Sequence, residues 1–366
     1  MTTRLPVFVN GRFLTADTTA VNTVARELTL ALARLQATDP DVAARYDLKV
    51  VVPPAAKKAA QALGIPFQVF GRLGGIFWEQ LELPRLSRRG RIAGFFNTAP
   101  LLGKNHVTML HDAHVFDAPE SYSFTTRQWR KLLSYGAATD GRLVLAVSEY
   151  SKSRLVALGI AKSDQIHVVS NGVGHLAALS SHSYNPNNAP LKTPYFVALS
   201  SLQDHKNIAV LLQAFARPDM QNAQLVLVGK STKQAFLGAG HVVPDNVHFP
   251  GFVSNRELAA LYQGAVAVLT PSRTEGFGLP PAEALTLGTP AIAAPCGALP
   301  EVCGDGALYA DPDNPEDWAI SAQLLMSQPA LRSSLIAAGR AHISDFTWEN
   351  AARAVIAALD QHRVAS

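Results

Sequence analysis

Only two cysteines, Cys296 and Cys303, occur in the 366 residues. That is too few for a disulfide framework or a metal knuckle, so free thiols are expected. No apolar run approaches the roughly 18 residues a membrane span needs, and the opening MTTRLPVFVNGRFLTADT has no uninterrupted apolar segment leading to a small-residue cleavage site. The expectation is a cytoplasmic chain. No G-x-G-x-x-G follows any apolar run, which removes the fingerprint of a dinucleotide-dependent oxidoreductase. No RNP, zinc-finger or helix-turn-helix pattern accompanies the basic residues, so no nucleic-acid partner is expected. Low-complexity tracts and short repeats are absent as well.

What is present is an ordinary globular composition, 48% hydrophobic and 16% charged, at a length that suits two domains, each with its own core. The net charge of +4 is unevenly placed: residues 1–180 hold 21 Lys and Arg against 13 Asp and Glu, and residues 181–366 hold 11 against 15. The basic half suits anionic partners, phosphates or a lipid surface. Its densest patch, LPRLSRRGR (Leu83 to Arg91), lies close behind Phe77 and Trp78. It suggests peripheral contact with the inner face of a cytoplasmic membrane, against the plainer reading of a solvated surface.

Short apolar runs alternate with helical stretches, the pattern of parallel α/β units. Strands are predicted at Leu5–Val9, Leu48–Val52, Ile92–Phe96, Val107–Leu110, Leu143–Val147 and Ile166–Val169, then at Pro194–Ser200, Ala223–Gly229, Asn246–Phe252, Ala265–Thr270 and Pro290–Pro295. Thr23 to Leu35 has apolar residues at helical spacing. Ser148 and Gly159 bound another helix, and Ser254 with Glu257 makes a capping box for a third. The Ser-, Asn- and Pro-rich segment 179–193 reads as a linker. It divides the chain into an N-terminal domain, 1–178, and a C-terminal domain, 194–345, with a last helix over 346–366 expected to pack back toward the first domain. The fold class is α/β, two doubly wound parallel-sheet domains, whose ligands bind beyond the carboxyl ends of the strands.

The most informative stretch is SRTEGFGLPPAEALTLGTPAIAAP, Ser272 to Pro295. A strand ending near Thr270 enters a glycine turn, and a helix is predicted from Pro280 or Pro281 to Gly288, since proline suits a first helical turn. That helix opens at Gly278–Leu279 and directs backbone N–H groups at an anion, for which a phosphate or diphosphate is the usual occupant. Glu275 precedes the helix and Glu283 is expected in its first turn. Carboxylates repel phosphate, so they are read as acceptors for hydroxyls. Hydroxyls on both sides of a diphosphate describe a nucleotide sugar. Either acid alone fits a cap or the helix dipole; the pair with the turn favours the ligand.

On these residues EGFGLPPAE resembles the E-x(7)-E signature of family-4 retaining glycosyltransferases, and the resemblance implies the GT-B architecture, two Rossmann-like domains facing across a cleft. It covers almost the whole chain: SLQDHKN (Ser201–Asn207) is similar to the family's phosphate-lysine segment, FPGFVSNRELAALY (Phe249–Tyr262) to its base-recognition strand and helix, VVSNGV (Val168–Val173) to its hinge entry, MLHDAH (Met109–His114) to its catalytic histidine, and FTWENAA (Phe346–Ala352) to the start of its last helix. The resemblance implies that Glu275 binds donor-sugar hydroxyls, Glu283 the ribose and Lys206 the diphosphate. The backbone of Gly276, Phe277, Gly278 and Leu279 would line the phosphates, main chain at Phe252–Val253 would hold the base, and His111 would reach the sugar. It implies retention by a front-face route with no metal and no cofactor. Resemblance to bacterial mannosyltransferases of polysaccharide and lipopolysaccharide assembly makes GDP-mannose the foremost donor, ahead of a UDP sugar, and a saccharide, lipid-linked, the acceptor.

Two departures stand out. His205 occupies the place of the family's usual arginine and is read either as a pH-dependent contact to the donor diphosphate or as a side chain pointing to solvent, with Arg273 as a substitute phosphate contact, and Ala20 and Thr23 replace a glycine and arginine in the first loop. Asp311–Asp313 is a D-x-D read as turn chemistry, and HDAH lacks a third metal ligand at useful spacing. Trp78 and Trp129, with Leu132 and Leu133, fit either core or an acceptor groove. The competing functions are a nucleotide-sugar 2-epimerase of the same architecture and a non-catalytic nucleotide-sugar sensor.

Overall fold

The computed structural model describes residues 4–15, 19–139, 142–179 and 194–362. Two compact units divide the chain: residues 1–172 with 346–366, and residues 173–345. The division follows Gly172, so residues 173–179 count with the second unit; most of the expected linker, 180–193, lies outside the described residues.

In the first unit seven strands form one sheet, β1 (Leu5–Asn10), β2 (Tyr46–Val52), β3 (Phe67–Val69), β4 (Arg91–Gly94), β5 (His106–Leu110), β6 (Leu143–Ala146) and β7 (Ile166–Val168). Their order is β3-β2-β1-β4-β5-β6-β7, and every pairing is parallel. β4, β5 and β6 are buried along their whole length, as parallel strands covered on both faces must be. The chain builds outward from β1 on one side and returns to its other side, so the switch point lies between β1 and β4. Helix Ala20–Thr38 is longer than its apolar spacing suggested, capped by Thr19 and buried at Val24, Leu28, Leu32 and Leu35. Helix Glu149–Ala157 begins where expected, with the Ser148 hydroxyl accepting from the Ser151 N–H at 2.9 Å. The final helix, Trp348–Gln361, belongs to this unit and packs against the 20–38 helix. Tyr46 Oη donates to Asp360 Oδ1 at 2.7 Å, Arg45 pairs with the same carboxylate, and Arg353 meets Asp39 at 3.1 Å.

The second unit holds six parallel strands, β8 (Tyr195–Leu199), β9 (Gln224–Val228), β10 (Val247–Gly251), β11 (Val268–Thr270), β12 (Ala291–Ala293) and β13 (Ala307–Tyr309), in the order β10-β9-β8-β11-β12-β13. Here the switch point lies between β8 and β11. Pro250 is accommodated because β10 is an edge strand with an irregular register between His248 and Gly251. The capping box is present on helix Asn255–Gly264: Ser254 N–H donates to Glu257 Oε2 at 2.7 Å, and the Glu257 N–H to Ser254 Oγ at 3.3 Å.

Candidate functional site

The segments that follow β8 and β11 flank the switch point of the second sheet, and they carry the residues singled out above. After β8 the chain makes a short turn at Asp204–Lys206 and passes through Asn207 in a left-handed conformation, φ 54°, before helix Ile208–Phe215. Asparagine tolerates that conformation, and its amide ties the site together by donating to Pro271 O at 3.2 Å and Pro312 O at 2.7 Å. After β11, Pro271–Gly278 forms the predicted turn.

These two segments bring Lys206 and Glu275 into contact. Lys206 Nζ donates to Glu275 Oε1 at 2.7 Å, and Ser272 Oγ donates to the same oxygen at 2.7 Å. The lysine keeps 27% of its side chain exposed and the glutamate 12%, so the pair is partly accessible. The turn is backed by the loop after β12, where Ala298 N–H donates to Glu275 O at 3.0 Å. Gly297 sits beneath it with φ +62°, and a Cβ there would lie 2.5 Å from Glu275 N, a space only glycine leaves open.

Helix Leu279–Thr286 starts one residue earlier than expected. Gly278, φ 104°, is its N-cap, and no side chain caps its first turn. Pro280 and Pro281 carry no N–H, so among its first three positions only Leu279 offers a donor. The anion-binding capacity of this terminus is therefore narrower than a general helix start.

Glu283 is the fifth residue of the helix, not in its first turn as expected. The carboxylate lies one turn deeper, with Oε1 3.2 Å from Nε2 of His175, and both side chains are about nine-tenths buried. Burial raises the Glu283 carboxyl above its ordinary value, and the His175 hydrogen bond draws it back. His175 escaped sequence reasoning: it lies just past VVSNGV, and nothing in its local pattern marks it.

His205 is 3% exposed, and its carbonyl accepts the Arg273 N–H at 2.8 Å. The alternative that it points to solvent is thereby corrected. Arg273 extends to the surface and pairs with Asp313 at 2.6 Å. Asp311 Oδ1 accepts the Asp313 N–H at 2.8 Å and Asp311 O accepts from the Trp318 indole at 2.8 Å, so the D-x-D is a turn anchored to a buried tryptophan. Phe252 is 68% exposed just beyond β10, while Val253, with Leu258, packs against the core that contains Tyr262. Both cysteines are free, and burial pushes the Cys303 thiol up to about 12.

In the first unit His111 follows β5 directly. Its Nε2 lies 2.8 Å from Phe95 O, Asn97 Oδ1 accepts its N–H at 2.6 Å, and Ser151 Oγ donates to its carbonyl at 3.0 Å. Burial lowers its pKa, so the ring is neutral. A carbonyl can only accept, which puts the proton on Nε2 and the lone pair on Nδ1. Asp112 accepts the His114 N–H at 3.0 Å, so the acid of HDAH serves a local turn. A second cluster that sequence reasoning missed occupies the β1–β4 switch point. Glu79, fully buried, accepts from Asn10 Nδ2 at 2.7 Å and Thr98 Oγ1 at 2.8 Å, and pairs with Arg12 at 3.2 Å. The only sequence signal was a pair of glutamates, Glu79 and Glu82, inside FWEQLELP. The basic stretch divides too: Arg85, Arg88 and Arg89 are exposed, but Leu83, Leu86 and Arg91 are buried, and Arg91 donates to His362 O.

Comparison with known proteins adds the following. Residues 182–342 match the family described as Glycosyl transferases group 1. The O-antigen chain mannosyltransferase B of Escherichia coli is 28% identical over 274 residues, 67% of this chain and 67% of that protein. The MMP alpha-(1->4)-mannosyltransferase of Mycolicibacterium hassiacum is 30% identical over 282 residues, 72% of this chain and 65% of that protein. Among solved structures, a sucrose-phosphate synthase from Thermosynechococcus elongatus superposes with a TM-score of 0.70 over 99% of this chain and 100% of that one, at 20% identity. At that identity the likeness shows the fold.

Proposed function

Because the chain carries a Glycosyl transferases group 1 domain and the GT-B fold, we propose that it is a retaining transferase that moves mannose from GDP-mannose to a saccharide acceptor, a lipid-linked glycan intermediate at the inner face of the cytoplasmic membrane. Its similarity to mannosyltransferases of O-antigen assembly supports the donor and acceptor class.

The observation that carries the reading is the Lys206–Glu275–Ser272 cluster beside the Leu279 helix start. A diphosphate competes with Glu275 for Lys206. Once the lysine turns to phosphate, the glutamate is released to accept hydroxyls of the donor sugar. In the transfer the bond between the anomeric carbon and the diphosphate oxygen breaks, the acceptor oxygen bonds to that carbon from the same face, and the acceptor proton passes to the departing phosphate. The leaving group gathers negative charge, which Lys206 and the Leu279 N–H stabilise in place without a metal ion. Glu283, held by His175, accepts from the ribose. His111 presents a neutral Nδ1 acceptor.

A thermal-shift panel of GDP, UDP and ADP with their sugars, followed by mass spectrometry of products on mannose-terminated acceptors, tests the proposal. Stabilisation by GDP and GDP-mannose with an acceptor gain of one hexose is expected. Stabilisation by UDP alone would redirect the donor, and no response to any nucleotide would defeat the reading.

A further inference from the structure

A fixed cation stands in the first unit at the place where ligands of such a sheet bind. β1 ends at Asn10, and the short turn Gly11–Thr15 that follows puts Arg12 at the β1–β4 switch point. Two further segments converge on it. Glu79 reaches it from the π-helical turn Trp78–Glu82, a geometry frequent at functional sites, and Phe96 and Thr98 come from the segment after β4. Arg12 Nη2 donates to Thr98 Oγ1 at 3.0 Å and pairs with Glu79 Oε2 at 3.2 Å, while the guanidinium lies over the Phe96 ring at 5.0 Å. Gln80 keeps the Thr98 segment in place, donating to Ala99 O at 3.0 Å and accepting the Leu101 N–H at 2.9 Å.

The cluster turns its side-chain acceptors inward. Glu79 Oε1 takes Asn10 Nδ2 and Thr98 Oγ1, Glu79 Oε2 faces Arg12, and Asn10 Oδ1 takes the Arg12 N–H at 3.1 Å. What is left over is donors: among the described residues neither Nη1 nor the buried Nε of Arg12 meets an acceptor. Arg12 keeps 20% of its side chain exposed, and Glu79 none. A buried ion pair contributes little to stability, because desolvation offsets the attraction, so stiffening alone is a weak reason for this arrangement. A guanidinium held in one orientation with unused N–H groups suits a phosphate, whose oxygens only accept and match its fork.

We propose that Arg12, aimed by Glu79, binds a phosphate group of the acceptor, so that the chain selects phosphate-linked saccharides over neutral ones. The inference rests on the saccharide-acceptor reading of the preceding section and names the group that is recognised. Glu79 offsets part of the cation's charge and in return fixes its direction. The donor diphosphate is the poorer occupant, since the same reading assigns it to Lys206 and the Leu279 N–H.

Titration calorimetry on the full chain, with no donor present, compares decyl α-mannoside with decyl α-mannosyl phosphate, both below the concentration at which they form micelles. The parent should bind the phosphate at least about tenfold more tightly. Arg12→Gln should erase that preference and leave affinity for the neutral mannoside and for GDP within about twofold of the parent. Arg12→Lys keeps the charge beside Glu79 but not the fork, and should lose at least about threefold for the phosphate alone. It decides the matter if the glutamine variant does not fold. Equal affinity of the parent for the two mannosides, binding of neither, or an unaltered phosphate affinity in either variant would overturn the proposal. So would a parallel loss for the neutral mannoside, which marks a structural role only, or a loss for GDP, which moves the cation to the donor. A chain that binds the mannosyl phosphate through Arg12 but no nucleotide loses the glycosyl-transfer reading and keeps this one.

Discussion

The imidazole of His175 holds the carboxylate of Glu283 at 3.2 Å in a setting where both side chains are almost sealed from water. A buried carboxylate with a hydrogen-bond partner is fixed in direction, and removal of that partner costs about 1–3 kcal/mol. His175→Phe should therefore lower stability and raise the donor KM more than it lowers kcat. The pH dependence has a definite sign. Burial keeps the Glu283 carboxyl above its ordinary 4.5, with His175 drawing it down. A carboxyl raised in the fold stabilises it while protonated, and that contribution is lost as pH rises through the folded value. Loss of His175 raises the folded value further, so the melting-temperature deficit should be greatest near pH 7.5 and shrink toward pH 4.5. A deficit that does not change with pH would show that the pair is not the cause.

Glu275 neutralises Lys206 at 2.7 Å. Glu275→Gln should reduce transfer by at least about a hundredfold, yet calorimetric titration should find affinity for bare GDP within about threefold of the parent, or tighter, because the lysine is released. A marked loss of GDP affinity would contradict the assignment of this side chain to sugar hydroxyls.

Lys206→Met removes the cation that faces the departing diphosphate. A charge-assisted hydrogen bond contributes about 1.5–3 kcal/mol, so GDP affinity should fall roughly tenfold to a hundredfold. Transfer by the parent should be unchanged in EDTA. Inactivation by EDTA with rescue by magnesium would mean that a metal supplies the charge.

His205 is too buried for a longer cation to be placed freely. His205→Arg should lower the melting temperature and leave donor affinity unimproved, since a guanidinium forced into that volume is desolvated without a designed partner. Tighter GDP binding by a variant of unchanged stability would show that the side chain reaches the phosphates after all.

The sequence carried the sheets well because parallel strands buried on both faces are continuous apolar runs. β3 and β13 went unnoticed, being three residues each with partly exposed side chains. The Lys206 and Glu275 segments were legible because each lies in a turn of unusual composition directly after a strand. Their mutual contact follows only from the sheet order, which places β8 beside β11. The partner of Glu283, His175, and the pair Glu79 with Arg12 were invisible for the same reason: each is a polar residue whose partner is brought near by topology. Trp78 and Trp129 resemble one another in sequence context, but only Trp78 enters the core. Periodicity says which residues share a face, not whether that face is covered.

The return of the chain to its first unit through the 348–361 helix sets a timetable for synthesis. A ribosome completes every strand of the second unit before the first receives its last helix. Through that interval the 20–38 helix lacks its partner, and Tyr46 and Arg45 wait for Asp360. The half made earliest is finished latest, so a truncated transcript that ends before residue 346 yields a complete second unit and an unfinished first one, open to chaperones and proteases at a face the mature protein keeps closed.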